Sequence, residues 1–195
     1  MIPLSNRYGV QNNFNAFYGI IKFLIGAKQK DIGLVEANRI INELERENKD
    51  QKGDILPILS KIIKKYRDLA DHRSIALELY RDQCKVRGSS LLEELFSHII
   101  ENAIIHSGGT KVRISIKKGD NTAVITVEDD GKGITEDKRD QIFEKFWSGK
   151  KDICSGLGLY LAKLIAESYG GGIEVKDSDL GGVRFDVILK RVSNH

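Results

Sequence analysis

The feature that most constrains the fold is a pair of alternating segments joined by a polar turn. Apolar and polar residues alternate over residues 111–117 and again over residues 122–128, and Gly119-Asp120-Asn121 separates the two segments. A period of two is typical of strands with one buried face, and a short Gly/Asp/Asn connection between such strands predicts a β-hairpin. The chain must therefore build an antiparallel sheet and cover one face of it.

Helical patterns surround this hairpin. Helices and antiparallel strands in one segment indicate an α+β fold, a two-layer α/β sandwich with a largely antiparallel sheet, which we assign to residues 54–192. Its other predicted elements are a helix capped by Asp54, a short strand at 75–80, a helix from Ser90 to His106, a helix at 157–169, and a second hairpin at 173–176 and 183–189 around Gly181-Gly182.

Residues 1–53 have a different pattern, that of two short amphipathic helices. The apolar residues of the first recur at steps of four and three between Val10 and Leu24, and Asp31 can cap the second. Two short helices cannot bury both apolar stripes against each other, so we predict a homodimer with a four-helix bundle. The almost wholly polar residues 45–53 predict a linker or domain boundary. The stripe of the second helix consists of Leu34, Ala37, Ile41 and Leu44.

Composition limits the partners and the compartment. Thirty-one basic against 28 acidic residues leave a net charge of +3, which gives no reason to favour nucleic acid or an anionic membrane. The apolar stretch 16–27 is broken by Lys22 and is too short to cross a bilayer, and no leader precedes it. Cys84 and Cys154 lack metal-like spacing, as expected in a reducing compartment. We therefore expect a cytoplasmic protein without a membrane segment.

A polar stripe follows the helix that ends at His106. Glu94, His98, Asn102 and His106 recur at four-residue steps and share one face, while the opposite face is apolar. Such a stripe can line a cleft. The side-chain amide oxygen of Asn102 is a hard ligand of the kind that Mg²⁺ accepts beside phosphate oxygens and water.

Two glycine-rich segments carry the remaining chemistry. Asp129 ends a predicted strand and can accept a hydrogen bond from an exocyclic amine such as that of adenine, while Gly131 and Gly133 let a flat ring approach the backbone. Ser155-Gly156-Leu157-Gly158-Leu159 enters a helix, whose free N–H groups can cradle a polyphosphate. Each segment alone is weak evidence, since an Asp-Gly pair usually marks only a turn.

In this order the segments resemble the ATP-binding domain shared by sensor histidine kinases, gyrase, Hsp90 and MutL, known as the GHKL or Bergerat fold. The resemblance covers about residues 54–189, and its F box points to the histidine kinases. The matching segments are an N box at 95–106, a first glycine box at 127–134, an F box at 142–146, a second glycine box at 156–163 and a third at 182–185.

The resemblance implies ATP and Mg²⁺ as cofactors. Asn102 would coordinate Mg²⁺, Asp129 would contact adenine, and residues 147–155 would form a mobile lid. His98 and Glu101 are the candidate catalytic residues, although a cleft-wall position without a catalytic role is the favoured alternative for His98. The other nucleotide-binding residues that the resemblance implies are Gly131, Gly133, Ile134, Phe143, Gly156, Leu157, Gly158 and Leu159; for Phe143, packing as core under the lid is the alternative.

The chain departs from the kinase pattern at the phosphoacceptor. Tyr8 stands where the family has its nucleophilic histidine, Gly9 replaces the carboxylate beside it, and only Asn12 fits. A phenol with a pKa of about 10 is a poor substitute at neutral pH. Ile105 also stands where kinases often have a phosphate-binding Lys or Arg.

These departures leave two functions open. The first is a dimeric signalling protein of the two-component histidine-kinase type, which transfers phosphate to a site other than Tyr8 or to a response regulator. The second is a non-catalytic module that ATP switches between two partner affinities. A serine kinase of the anti-sigma type shares the ATP fold, but the helical hairpin predicted for residues 1–53 argues against it.

Overall fold

The computed structural model of the chain describes residues 32–46, 51–80, 82–88, 90–144 and 157–192. Four helices and seven strands lie in these ranges, together with two short 3₁₀ turns at Glu136–Lys138 and Gln141–Phe143. In chain order the elements are α1 (Ile32–Arg46), β1 (Lys52–Asp54), α2 (Ile55–His72), β2 (Ala76–Leu79), β3 (Lys85–Arg87), α3 (Leu91–His106), β4 (Lys111–Lys118), β5 (Thr122–Asp129), α4 (Gly158–Ser168), β6 (Gly172–Asp177) and β7 (Val183–Lys190).

The main sheet has five strands in the order β2-β4-β5-β7-β6. Both predicted hairpins are present, as β4–β5 and β6–β7, and only the β2–β4 pair is parallel. Alternate residues of the central strands are fully buried, and α2, α3 and α4 pack against this sheet. The α+β two-layer fold predicted from the sequence is therefore confirmed. Val112, Ile114, Ile125, Val127, Val187 and Leu189 form the centre of the buried sheet face.

The cap predicted at Asp54 is present, and its carboxylate accepts the N–H of Leu56 at 3.3 Å. The same residue ends β1, which pairs antiparallel with β3 in a small second sheet. The linker predicted at residues 45–53 is wrong at both ends, because residues 45 and 46 belong to α1 and residues 52 and 53 to β1. The three residues Lys52, Gly53 and Asp54 show no periodicity, and they pair with residues 85–87, so no local pattern in the sequence indicates this strand.

Three of the four stripe residues predicted for α1 are buried inside the chain, and the side chain of Leu34 lies outside the described part. Ala37, Ile41 and Leu44 are buried as the stripe predicts, Ile40 joins them, and α1 packs against α3 and α4. The side chain of Arg39 bonds Glu94 of α3 at 2.6 Å. The partner for this stripe is thus the α3–α4 pair. The helix predicted between Val10 and Leu24 lies outside the described residues, so the dimeric four-helix bundle stays a prediction.

Within the described ranges, none of the helices combines the length and the apolar character that crossing a bilayer demands.

Candidate functional site

Asp129 is the best-defined polar residue at the sheet end that the sequence singled out. It is the last residue of β5 and only 2% exposed, and its Oδ1 accepts the N–H of Gly131 at 2.9 Å and that of Val183 at 3.2 Å. Burial raises the pKa of this carboxyl, and the two N–H groups oppose the rise. One carboxylate oxygen is therefore fixed by the backbone, and no described cationic side chain forms an ion pair with the group.

Two glycines make this arrangement possible. A Cβ on Gly182 would come closer than 3.0 Å to Asp129 Oδ1 and to backbone atoms of Asp129 and Gly131, and one on Gly131 would meet the carbonyl of Ser107 as closely. Real Cβ atoms essentially never approach so near. Gly133 differs, because its surroundings are open and its φ of +73° is what requires glycine there. The contact of Gly182 with Asp129 was not predicted.

The first glycine segment is anchored to the end of α3. Lys132 N–H donates to the carbonyl of Ser107 at 3.0 Å. The carboxylate of Asp130 accepts the N–H groups of Thr110 and Lys111 at 2.7 and 2.8 Å and the Thr110 hydroxyl at 2.7 Å. Asp130 thus holds the loop, while its neighbour Asp129 turns into the protein. Sequence reasoning missed this role of Asp130, although an aspartate in an Asp-Gly turn often bonds nearby backbone N–H groups.

The residues on the polar side of α3 differ in their burial and in their contacts. His98 and Asn102 are half-buried, whereas His106 is exposed. Glu101 accepts a hydrogen bond from the Tyr66 hydroxyl of α2 at 3.2 Å. Burial, followed by the Glu101 charge, raises the pKa of Tyr66 well above its ordinary value. Of the two candidate catalytic residues, Glu101 is therefore held against α2.

The second glycine segment approaches the same helix. Gly158 begins α4, and a Cβ on it would lie 3.3 Å from His98 Nδ1. Leu157 is fully buried, and Leu159 is partly buried against the core. Both leucines are thus placed as packing residues at the start of α4. Gly156 and the predicted lid at 147–155 lie outside the described residues.

Phe143 and Ile134 pack against the hydrophobic core. Phe143 is 7% exposed, its ring meets that of Phe185 edge to face at 6.5 Å, and the Lys163 amine lies 5.2 Å from the ring centre. Ile134 is partly buried against the same core. The surroundings of Phe143 are therefore those of a core residue.

Helix α3 is the element that brings these segments together. Its end at Ser107 contacts the first glycine segment, and His98, two turns earlier, contacts the start of the second. Asn102 therefore lies between the points at which α3 meets the two glycine segments.

Known proteins are similar to this chain in sequence and in fold. The family profile described as histidine kinase-, DNA gyrase B-, and HSP90-like ATPase matches residues 88–193. The heme sensor protein HssS of Staphylococcus saprophyticus is 30% identical over 138 residues, which are 69% of this chain and 30% of that protein. The sensor protein SrrB of Staphylococcus aureus is 30% identical over 176 residues, 79% of this chain and 29% of that protein.

Solved structures show the same fold. The ATP-binding domain of PrrB from Mycobacterium tuberculosis superposes with a TM-score of 0.64 and 26% identity, covering 75% of this chain and all of that domain. The mycobacterial sensor histidine kinase MprB gives a TM-score of 0.66 at 22% identity and covers 74% of this chain and 99% of that one.

The fold and the ordered glycine segments define a GHKL-type ATPase domain. Because the family match covers more than half of the chain, the chain belongs to this family, and its relatives place it with the sensor histidine kinases. The chain spans about 30% of the length of the curated relatives it matches.

Proposed function

We propose that this chain binds ATP together with Mg²⁺ at the region bordered by α3 and the two glycine segments, and acts in phosphoryl transfer of the histidine-kinase type. The carboxylate of Asp129 carries the proposal. Its Oδ1 is fixed by two backbone N–H groups, which leaves Oδ2 to accept a hydrogen bond from the exocyclic amine of adenine. Gly182 keeps a side chain away from this carboxylate, Gly131 lets the loop lie close to Ser107, and Gly133, Ile134 and Phe143 would border the base.

The phosphates would lie toward the start of α4. Backbone N–H groups at a helix start attract anions, and Gly158 lets the start of α4 approach α3 closely. Gly156 would continue this cradle, with Leu157 and Leu159 anchoring it by packing. The side-chain amide of Asn102 has the hard oxygen that suits Mg²⁺, and the bound ion would neutralise charge on the phosphates during transfer.

The phosphate acceptor is proposed to lie elsewhere than Tyr8, which is outside the described residues. A response regulator or another residue of a homodimer would supply the nucleophile. His98 lines the region under Gly158, where it forms the cleft wall or moves a proton. Glu101 would have an indirect role, because its carboxylate accepts a hydrogen bond from Tyr66 and so links α3 to α2.

Tyr8 and Gly9 also favour the second candidate function, a non-catalytic module. Without a reactive nucleophile at the usual position, ATP could still order the lid and change the affinity for a partner. The two functions share the nucleotide site and differ only in whether phosphate leaves ATP.

One experiment separates them. The full chain is incubated with γ-labelled ATP and Mg²⁺, alone and with candidate response regulators, while nucleotide affinity is measured by calorimetry. Label on any protein supports the kinase function, and acid-labile label identifies phosphohistidine. Bound ATP without label or hydrolysis supports the module.

Two variants test the site itself. Asn102→Ala removes the proposed Mg²⁺ ligand and should abolish the Mg²⁺ dependence of ATP binding. The matched control, Asn121→Ala in the exposed β4–β5 turn, should bind as the native chain does. Absence of nucleotide binding in the native chain contradicts both functions.

A further inference from the structure

A second recess lies away from the nucleotide region, between α2 and the edge strand β2. We propose that this recess, the α2–β2 groove, binds an extended acidic segment of a partner protein, which adds to β2 as a further strand. The groove encloses about 500 Å³ and is lined by Ser60, Ile63, Lys64 and Arg67 of α2 and by Leu77 and Leu79 of β2.

The floor of the groove is aliphatic. Ile63 is buried, and Leu77 and Leu79 are partly buried on the sheet face that packs against the helices. The four α2 residues recur at steps of three, one and three, which places them on one helical face. The volume is that of a small-molecule site, about 300–1,000 Å³, and is enough for apolar side chains of a bound peptide.

The backbone of β2 offers hydrogen bonds at the same place. Ala76 N–H donates to Thr110 at 2.8 Å and Tyr80 N–H to Ile114 at 2.9 Å, both toward β4. In a parallel pair this alternation turns the peptide groups of Leu77 and Leu79 to the opposite edge, and no described residue pairs with them there. An unpaired edge is a template for an added strand.

The charge of the groove selects an acidic occupant. Its lining contains two cations, Lys64 and Arg67, and no carboxylate. Neither cation forms an ion pair with a residue in the described part of the chain, whereas the nearby Lys61 is bound to Glu93 at 2.7 Å. Glu78, between the two leucines, points to the other sheet face and pairs with Lys111 at 3.0 Å.

The charges and the aliphatic floor of the groove argue against two other occupants. A second copy that paired β2 with β2 about a twofold axis would bring Lys64 and Arg67 against their own counterparts. A nucleic acid would find aliphatic walls instead of stacking platforms.

The test uses the full chain and a fluorescent nonapeptide, Glu-Thr-Val-Thr-Val-Thr-Val-Thr-Glu, followed by anisotropy. Its Glu and Val residues share one strand face and can turn to the groove together. The peptide should bind, and the double variant Lys64→Glu/Arg67→Glu should weaken binding about tenfold at low salt, since two charge pairs are reversed. The matched control Lys117→Glu/Lys138→Glu changes the net charge equally but lies outside the groove, and should bind within about twofold of the native chain.

Two altered peptides examine the chemistry. Replacing every Glu by Lys should abolish binding, and replacing the central Val by Pro, which lacks the N–H, should weaken it about tenfold or more by removing a strand hydrogen bond. Thermal unfolding monitored by circular dichroism verifies that both double variants fold.

Several results would overturn the proposal. The first is that the acidic peptide does not bind, and the second is that the Lys or Pro peptide binds as tightly as the acidic one. The third is that the two double variants lose equal affinity for the acidic peptide. The fourth is that a single-stranded RNA binds more tightly than the peptide and that Lys64→Glu/Arg67→Glu removes this binding. Self-association of the native chain in sedimentation that the same double variant abolishes would assign the groove to a second copy instead.

Discussion

Two buried aspartates on neighbouring strands behave in opposite ways. Asp129 ends β5 on the sheet face that packs against the helices, and Asp186 lies in β7 on the other face; they are 2% and 3% exposed. Burial raises the pKa of Asp129, whose bonds in the described structure come only from backbone N–H groups. Both are costly to bury, yet only one has its charge balanced by side chains.

Asp186 is the balanced one. It accepts bonds from the Thr126 hydroxyl at 2.7 Å, Arg184 at 2.8 Å and Lys176 at 3.0 Å. Burial alone would raise its pKa, but these partners hold the pKa below the ordinary carboxyl value. A buried carboxylate with cationic partners stabilises a sheet, whereas one without them retains acceptor capacity for a ligand. The contrast distinguishes scaffold from site.

The largest effect is expected at Gly182. In Gly182→Ala the added methyl group meets backbone atoms that cannot move aside, so we expect a loss of about 3 kcal/mol in the free energy of unfolding and no detectable nucleotide binding. Urea unfolding and calorimetry measure the two effects. Gly172→Ala is the control, because a Cβ there has open space. Similar behaviour of the two variants would remove Gly182 from the site.

Asp129→Asn should uncouple binding from folding. The amide keeps Oδ1 as acceptor for the two N–H groups but replaces Oδ2 with a donor, so ATP affinity should fall by about 1.5–3 kcal/mol, roughly 10- to 150-fold. The fold should persist. Titration with ATP checks this against the exposed-turn variant Asp120→Asn, and unchanged affinity in Asp129→Asn contradicts the adenine contact.

Asp186→Asn should do the reverse. Loss of the charge that faces Arg184 and Lys176 should lower the free energy of unfolding by about 1–2 kcal/mol and leave nucleotide affinity within about twofold. Glu174→Gln is the matched control, because that carboxylate contacts the same Lys176 at 2.7 Å but is exposed, and its loss should cost less than about 0.5 kcal/mol. A nucleotide defect in Asp186→Asn would show that the two sheet faces are coupled.

The smallest effect is a difference in pH dependence. Because the folded pKa of Asp129 lies above its ordinary 3.8, its ionisation costs stability as the pH rises through the folded value, and Asp129→Asn should gain stability over the native chain from pH 3.8 upward. Asp186 has a lowered pKa, so its contribution is present above pH 3.8 and is lost as the pH falls through the folded value. Urea unfolding of both variants between pH 3 and 7 should give trends of opposite sign.

The sequence predicts the local features of this contrast well. Alternation along residues 111–128 defines β4 and β5, and therefore places Asp129 at a strand end beside a glycine turn. The cap at Asp54 and the polar face of α3 are equally local. Each of these features depends on residues a few positions apart. Over such short spans the backbone geometry of a helix or strand determines the direction in which each side chain points.

Features that depend on distant segments could not be predicted. The contact of Gly182 with Asp129 and the three side chains around Asp186 arise only when β7 lies beside β5. Strand β1 is three residues long, and α1 packs on helices far along the chain. In such cases tertiary packing determines which segments meet, and no periodicity in the sequence indicates the partner.

The burial of α1 has a mechanical consequence. This one helix touches both α3, which carries Asn102, and α4, which starts at Gly158. A displacement of α1 would expose Ala37, Ile40, Ile41 and Leu44 to water and would remove an apolar contact that α3 and α4 share. The position of α1 is therefore coupled to both helices through one buried surface, in addition to the direct packing of α3 on α4.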